Sequence, residues 1–312
     1  MKVLVLGGTG WVGHHIALAF FDAGYDVTIC SRGQKTTFAD ELPEGLKRVQ
    51  ADKQDPAGMA KVFETAYEVV IDSVPTEASI DLVVKYARGL KRYLHCSSTG
   101  GYAPLPFVPG DETMPYDQFM GGWKAKGVVD RKIMDLHKTQ GFPATSLRPC
   151  YITGPGMLPL DNLGGRREDF IPDILAGKTL ELPNDGQALL QPVHVLDLAQ
   201  AFLLASEAPA AVGQIYNICL EKALTLTRYL QITAAALGRE AKIACVPVAE
   251  LAAKYEGRIS RTGLYFLATH MCFDIRKARE QLGYTPHCTT EEAITETALW
   301  AADKLGHATD GR

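Results

Sequence analysis

Lys2-Val3-Leu4-Val5-Leu6-Gly7-Gly8-Thr9-Gly10-Trp11-Val12-Gly13 is the stretch that decides the fold. Residues 2–6 are a short apolar, β-branched run that stops at glycine. Residues 11–22 carry apolar side chains at helical spacing before Gly24. The reading is strand, tight turn, helix. In that context glycines at 7, 10 and 13 let the chain turn sharply and let its backbone approach a pyrophosphate. The anion then rests on the free N–H groups and the positive dipole end of the helix. Glycines that merely close a turn are the plainer alternative.

Working outward, the alternation continues. Strands are predicted over 26–30, 47–51, 68–72 and 91–97, and helices over 56–65 and 77–88. After a loop rich in proline and glycine over 100–115, a helix over 123–139 and a strand over 144–148 bring the sheet to about six strands. Strands alternating with helices make a doubly wound parallel sheet of the α/β class. Beyond Pro149 the elements shorten, with helices over 195–206, 225–237 and 289–304 and short strands near Leu180, Val193 and Ile215. The expected organisation is a dinucleotide-binding domain over 1–150 and a smaller C-terminal α/β substrate lobe over 151–312, partly interleaved with the first.

Lys plus Arg total 32 and Asp plus Glu 36 in the 312 residues, a net charge of −4 that argues against a DNA-binding role. The one dense positive run, Lys85 to Arg92, reads as a helix end whose cations suit the C-terminal dipole, which disfavours RNA as a partner. With 46% hydrophobic and 22% charged residues the chain is globular, and disordered and fibrous classes are excluded. Seven scattered cysteines without a CxxC pair point to reduced thiols and a cytoplasmic protein with no metal site. No apolar stretch approaches the ~18 residues of a membrane span, and the N-terminus lacks a secretory leader. His14 and His15, adjacent on a helix and so about 100° apart, do not share an ion.

The end of the second predicted strand selects the nucleotide. An acidic residue there would accept the ribose hydroxyls and repel a 2′-phosphate, but the chain has Ser31 and Arg32, with Lys35 nearby. A guanidinium fork holds phosphate, so the reading favours NADP over NAD, the alternative being a solvated loop arginine.

These residues together resemble the extended short-chain dehydrogenase/reductase superfamily, of the NAD-dependent epimerase/dehydratase type, over nearly the whole chain. The resemblance implies a Rossmann-type sheet and a cofactor held by Gly7, Thr9, Gly10, Trp11, Val12 and Gly13 at the turn. It places Asp52 and Lys53 at the adenine, and Ser73 and Val74 beside the cofactor. Pro149 falls in the loop over the nicotinamide, and residues 191–199 match a later signature. Ser98 matches the catalytic Ser/Thr, and Lys126 takes the lysine place of the Tyr-x-x-x-Lys pair. The tyrosine place is held by Gly122. A positioned acid/base contributes roughly 10²–10⁴-fold in rate, so this departure puts catalysis in doubt while leaving cofactor binding. Ser98, Thr99, Tyr102, Tyr116 and Tyr151 are the hydroxyls that could stand in, with Tyr102 preferred among them, the plainer alternative being a packing tyrosine whose hydroxyl is satisfied; Cys150 reads as a buried thiol and His194 as a residue that orients a loop. The fit is to an atypical subgroup that resembles the chloroplast stem-loop-binding proteins, some of them linked to RNA.

Nucleotide-sugar enzymes of the superfamily carry an arginine where this chain has Leu190, which turns the expectation toward a small polar metabolite. Arg166, Arg167, Arg258 and Arg261 could hold an acidic group, the blander reading being solvated surface arginines. A homodimer built on helices flanking the central strands is also implied. The expected function is an NADP-dependent oxidoreductase or epimerase-like enzyme working by hydride transfer on a hydroxyl or carbonyl. The alternative is a non-catalytic NADP-binding sensor or RNA-associated protein.

Overall fold

The computed structural model describes residues 1–34, 42–116 and 124–307; Lys35, Gly122 and Trp123 lie outside the described residues. The strands, in chain order, are β1 (Lys2–Leu6), β2 (Asp26–Ser31), β3 (Lys47–Gln50), β4 (Val69–Asp72), β5 (Arg92–Cys96), β6 (Ala144–Pro149) and β7 (Tyr151–Thr153). They continue with β8 (Thr179–Pro183), β9 (Leu189–Leu190), β10 (Pro192–His194), β11 (Ile215–Ile218), β12 (Leu224–Thr225) and β13 (Lys242–Val246). Seven of them form one sheet in the order β3-β2-β1-β4-β5-β6-β11, and every neighbouring pair is parallel.

The apolar run of β1 follows from that position. A parallel strand covered on both faces needs apolar residues at every place, and side chains alternate between the faces. Val3 and Val5 enter one core with Ile16, Phe20, Ile29, Leu198 and Phe202. Leu4 and Leu6 enter the other with Met59, Ile80, Val83, Val129 and Ile133. The helices covering these faces are α1 (Trp11–Asp22), α2 (Pro56–Val62), α3 (Glu77–Tyr86) and α4 (Lys124–Gln140). After α5 (Phe170–Leu175) in the second lobe, α6 (Val195–Glu207) returns to pack on α1.

Two expectations are corrected here. The sheet has seven strands rather than about six, and the strand near Ile215 belongs to it instead of to the C-terminal lobe. β11 runs beside β6, with Ile215 opposite Ser146 and Ile218 opposite Pro149. A four-residue strand carries no local signal for which sheet it joins; the open edge of β6 and burial of Tyr216 and Ile218 decide it. Residues 195–218 therefore complete the layer begun by the first 150.

The second lobe has its own core of Phe170, Ile174, Leu180, Leu182, Leu226, Leu230 and Ile294. It is built on the pairs β8/β13 and β9/β12. Around them lie α7 (Leu226–Ala236), α8 (Val248–Lys254), α9 (Arg261–Leu267) and α11 (Thr290–Lys304), whereas α10 (Arg276–Leu282) packs back on β11 and α6 of the first layer. Among the described residues no helix is long and apolar enough to cross a membrane.

Candidate active site

Two adjoining clefts open at the C-terminal ends of the central strands, where a doubly wound sheet places its ligands. The larger, about 520 Å³, is walled by Gly10, Trp11, Val12 and Gly13 of the turn, Ser73 and Val74 after β4, Ser98 after β5, Lys126 on α4 and Pro149 at the end of β6. The smaller, about 380 Å³, gathers Gly7, Thr9, Gly10, Ser31, Arg32, Asp52, Lys53 and Val74. Gly10 and Val74 line both, so the turn joins them. Every residue that the sequence assigned to the cofactor lines one cleft or the other.

The three glycines meet different demands. Gly7 has φ +83°, a left-handed conformation, and a Cβ there would stand 2.6 Å from Ser73 Oγ, which donates to the Leu6 carbonyl at 2.9 Å. A Cβ at Gly13 would stand 2.3 Å from the Gly7 carbonyl oxygen. At Gly10 the nearest atom to a Cβ would be 3.5 Å away. The fold tolerates a side chain there, so what glycine leaves at position 10 is open space over the first turn of α1. Gly10 is the N-cap of α1 and makes no side-chain cap, and the first-turn N–H groups of a helix have no intrahelical partner. These features fit a pyrophosphate.

Lys53 serves the cleft indirectly. Its Nζ is 2.6 Å from Asp72 Oδ1 and also donates to the Val74 carbonyl, while Asp72 accepts from Ser79 Oγ at 2.7 Å. Asp72 is fully buried, so this ion pair pins the loop after β4 that forms the shared wall. Arg32 is exposed at the rim of the smaller cleft, its own carbonyl held by Gln50.

Under the larger cleft Lys126 Nζ donates to the Ser97 carbonyl at 3.3 Å. Ser98 Oγ accepts from Gly100 N at 3.1 Å, which sets the turn after β5. Tyr116 hydrogen-bonds Ser97 Oγ at 2.8 Å and donates to the Ser98 carbonyl, holding this strand end from below. The preference for Tyr102 as the substitute proton donor gives way to the packing alternative. Tyr102 is 1% exposed and absent from the cleft walls. The turn over Thr99–Tyr102 directs its ring inward, where its hydroxyl accepts from Arg148 and burial pushes its pKa up. Of the candidate hydroxyls, Ser98, Thr99 and Tyr151 line the cleft.

The sequence reading missed a buried ion pair. Arg148, next to the end of a strand that is buried throughout, pairs with Asp130 on α4, which also accepts from Ser146 Oγ. The Arg148 guanidinium sits 3.3 Å over the Tyr116 ring and 4.8 Å over that of Tyr102. A charge within a strand that the alternation places inside the sheet was the available signal, since a buried charge demands a partner. Beside it His95 is fully buried; burial lowers its pKa to about 4 although Asp130 lies 3.6 Å from Nε2.

The remaining candidates separate clearly. His194 caps α6 by accepting from Leu196 N and reaches Glu296 at 3.0 Å, a structural placement. His14 is buried in α1, and His15 bonds the Trp11 carbonyl. Asp197, His287 and Cys288 bring ligand-type atoms within 4.8 Å of one another. Asp197 Oδ1, however, already accepts from His287 N and is 2.8 Å from its Nδ1, which ties down the loop before α11. Cys150 is a buried thiol on the cleft wall. Arg258 and Arg261 are exposed and Arg167 pairs with Asp161. Arg166, by contrast, lines the cleft.

The profile of the NAD dependent epimerase/dehydratase family matches residues 3–84 and 77–219. The chain belongs to that family. Its class is an enzyme of the short-chain dehydrogenase/reductase type on a Rossmann-type fold. Among curated relatives it is 26% identical to the chloroplast stem-loop binding protein of 41 kDa b of Arabidopsis thaliana, over 95% of this chain and 78% of that one. It is 27% identical to a UDP-glucose 4-epimerase of Corynebacterium glutamicum, over 98% and 97%. Among solved structures, UDP-glucose-4-epimerase from Stenotrophomonas maltophila with bound NAD superposes with a TM-score of 0.79 at 19% identity, covering 99% of this chain and 100% of that one. The likeness in structure is one of fold.

Proposed function

We propose that this member of the family binds NADP and exchanges hydride with a hydroxyl or carbonyl of a small polar metabolite. The observation that carries the reading is the joining of the glycine turn, through Gly10 and Val74, to a cleft that also holds Ser98 and Lys126. When bound, the dinucleotide supplies hydride exchange at nicotinamide C4. Gly10 and the first turn of α1 receive its pyrophosphate, and Arg32 at the rim of the smaller cleft faces a 2′-phosphate. Ser98 donates a hydrogen bond to the substrate oxygen, Lys126 anchors the nicotinamide ribose, and the apolar wall of Met157, Leu160, Phe266 and Met271 excludes water. The relatives named for UDP-sugars extend the candidate substrates to sugar nucleotides. Leu190, 1% exposed in the core of the second lobe, supplies no cation for a diphosphate. The reading includes a cytoplasmic homodimer that buries α3 and α4, with the half-exposed Val84 on its face; sedimentation tests it.

A fluorescence titration with NADPH and NADH in parallel tests the cofactor. NADPH binding the tighter by tenfold or more, with the difference lost in Arg32→Ala, supports NADP; equal binding overturns that preference. A second reading, a non-catalytic NADP-binding sensor or RNA-associated protein, is favoured by Gly122 at the tyrosine place and by the printed name of the Arabidopsis relative. Gly122→Tyr separates the two. A gain in turnover of roughly 10²-fold supports a retained catalytic frame, since that is what a positioned acid/base contributes. No turnover in either protein, together with steeply salt-dependent RNA binding, favours the second.

A further inference from the structure

We infer that Arg166 forms an anion subsite in the larger cleft, taking a carboxylate or phosphate carried by the substrate itself. The inference rests on the reading of that cleft as the substrate site. Arg166 lies in the loop before α5 and lines the cleft together with Trp11, Met157 and Leu160. Its two terminal nitrogens are held by main chain: Nη2 donates to the Ile152 carbonyl at 2.6 Å and Nη1 to that of Leu158. The guanidinium stands 5.9 Å over the Trp11 ring, whose indole N–H donates to the Pro155 carbonyl at 2.7 Å. One side chain is thereby fixed at both ends of the 152–158 loop and aligned against an aromatic face.

Its charge is the unusual part. Among the described residues no carboxylate forms an ion pair with it: Glu168 and Asp169, the nearest in sequence, are exposed, and Asp161 pairs with Arg167 at 3.1 Å. Burial lowers its pKa, with Tyr229 and Asp161 opposing that at longer range. Two carbonyls satisfy two of the five guanidinium N–H groups, and three remain for a ligand. A brace between two carbonyls needs hydrogen-bond donors only. A full cation against an apolar wall costs free energy unless an anion meets it. A planar fork with spare donors is suited to the two oxygens of a carboxylate or phosphate. With a leucine buried at position 190, this places the recognition of substrate charge on the loop before α5.

The test is a titration of the NADPH-loaded protein, so that the pyrophosphate place is filled, with inorganic phosphate, malonate and neutral glucose, read by tryptophan and nucleotide fluorescence. Phosphate or malonate should bind more tightly than glucose. The dissociation constant should rise at least tenfold in Arg166→Gln and recover in part in Arg166→Lys, with Arg261→Gln unchanged. NADPH affinity should stay within about twofold in all variants, which also shows that they fold. Phosphate ahead of malonate identifies a phosphoryl substrate, and the reverse order a carboxylate; either supports the subsite. Anion binding that survives Arg166→Gln, glucose binding equally well, or no binding of either anion overturns it. Loss of NADPH affinity in folded Arg166→Gln overturns it as well, because the guanidinium then serves the cofactor. Repeating the anion series without nucleotide keeps this result separate from failure of the cofactor reading.

Discussion

Alanine at Gly10 and alanine at Gly13 should fail in opposite ways. A Cβ on Gly13 would stand 2.3 Å from the oxygen and 2.9 Å from the carbon of the Gly7 carbonyl and 3.0 Å from Gly8 Cα. All three are backbone atoms of the turn, so the turn itself must move, and overpacking of this kind costs about 1–3 kcal/mol. For a chain of this size each kcal/mol lowers Tm by about 2–4 °C. At Gly10 the nearest atom would be 3.5 Å away, and φ −86° with ψ 160° suits any residue. Alanine there loses only N-cap preference, under about 1 kcal/mol. Its methyl group instead occupies the space over the first turn of α1 that the pyrophosphate needs. The expectation is a Tm close to that of the wild type with at least a tenfold loss of NADPH affinity, about 1.4 kcal/mol. Differential scanning fluorimetry and nucleotide titration on the same preparations measure both. A folded Gly10→Ala protein that binds NADPH within about twofold of wild type would refute the assignment of the turn to a pyrophosphate.

Asp130→Ala leaves the Arg148 guanidinium buried without its carboxylate and should lower stability by about 3–5 kcal/mol in chemical denaturation, whereas an unchanged midpoint would show the pair to be dispensable. His95 is held neutral by burial, so the unfolded chain binds the extra proton. Its contribution is complete above the ordinary imidazole value of 6.5 and is lost as pH falls toward about 4, a span worth roughly 3 kcal/mol. Denaturation midpoints at pH 7 and 4.5 should differ less in His95→Gln than in the wild type; equal differences would remove His95 as the cause.

Much of the frame was legible because its signals are local. The run of β1, the glycine spacing and the alternation of strands with helices each lie within a few residues, and each answers to a periodicity or a steric limit that sequence displays directly. The residues that line the two clefts were legible for the same reason, since they sit at the glycine turn and at strand ends that the alternation locates. Tyr102 stayed between two readings because its distance from Ser98 along the chain says nothing of which way the turn over Thr99–Tyr102 throws the ring. Ile215 was misjudged because a strand of four residues looks alike in either sheet. Arg148 was quoted for its neighbours, while its pairing with Asp130, 18 positions away on a helix, is a long-range contact.

By itself the sequence determined the glycine turn between β1 and α1 and the doubly wound α/β class. Only the tertiary structure decided which hydroxyls reach the cleft, that Arg148 is matched by a buried carboxylate, and that Arg166 lines the cleft without one among the described residues. Backbone conformation follows from steric and hydrogen-bonding preferences of adjacent residues. The environment of a charge, by contrast, is set by everything that packs around it, and those groups come from distant parts of the chain.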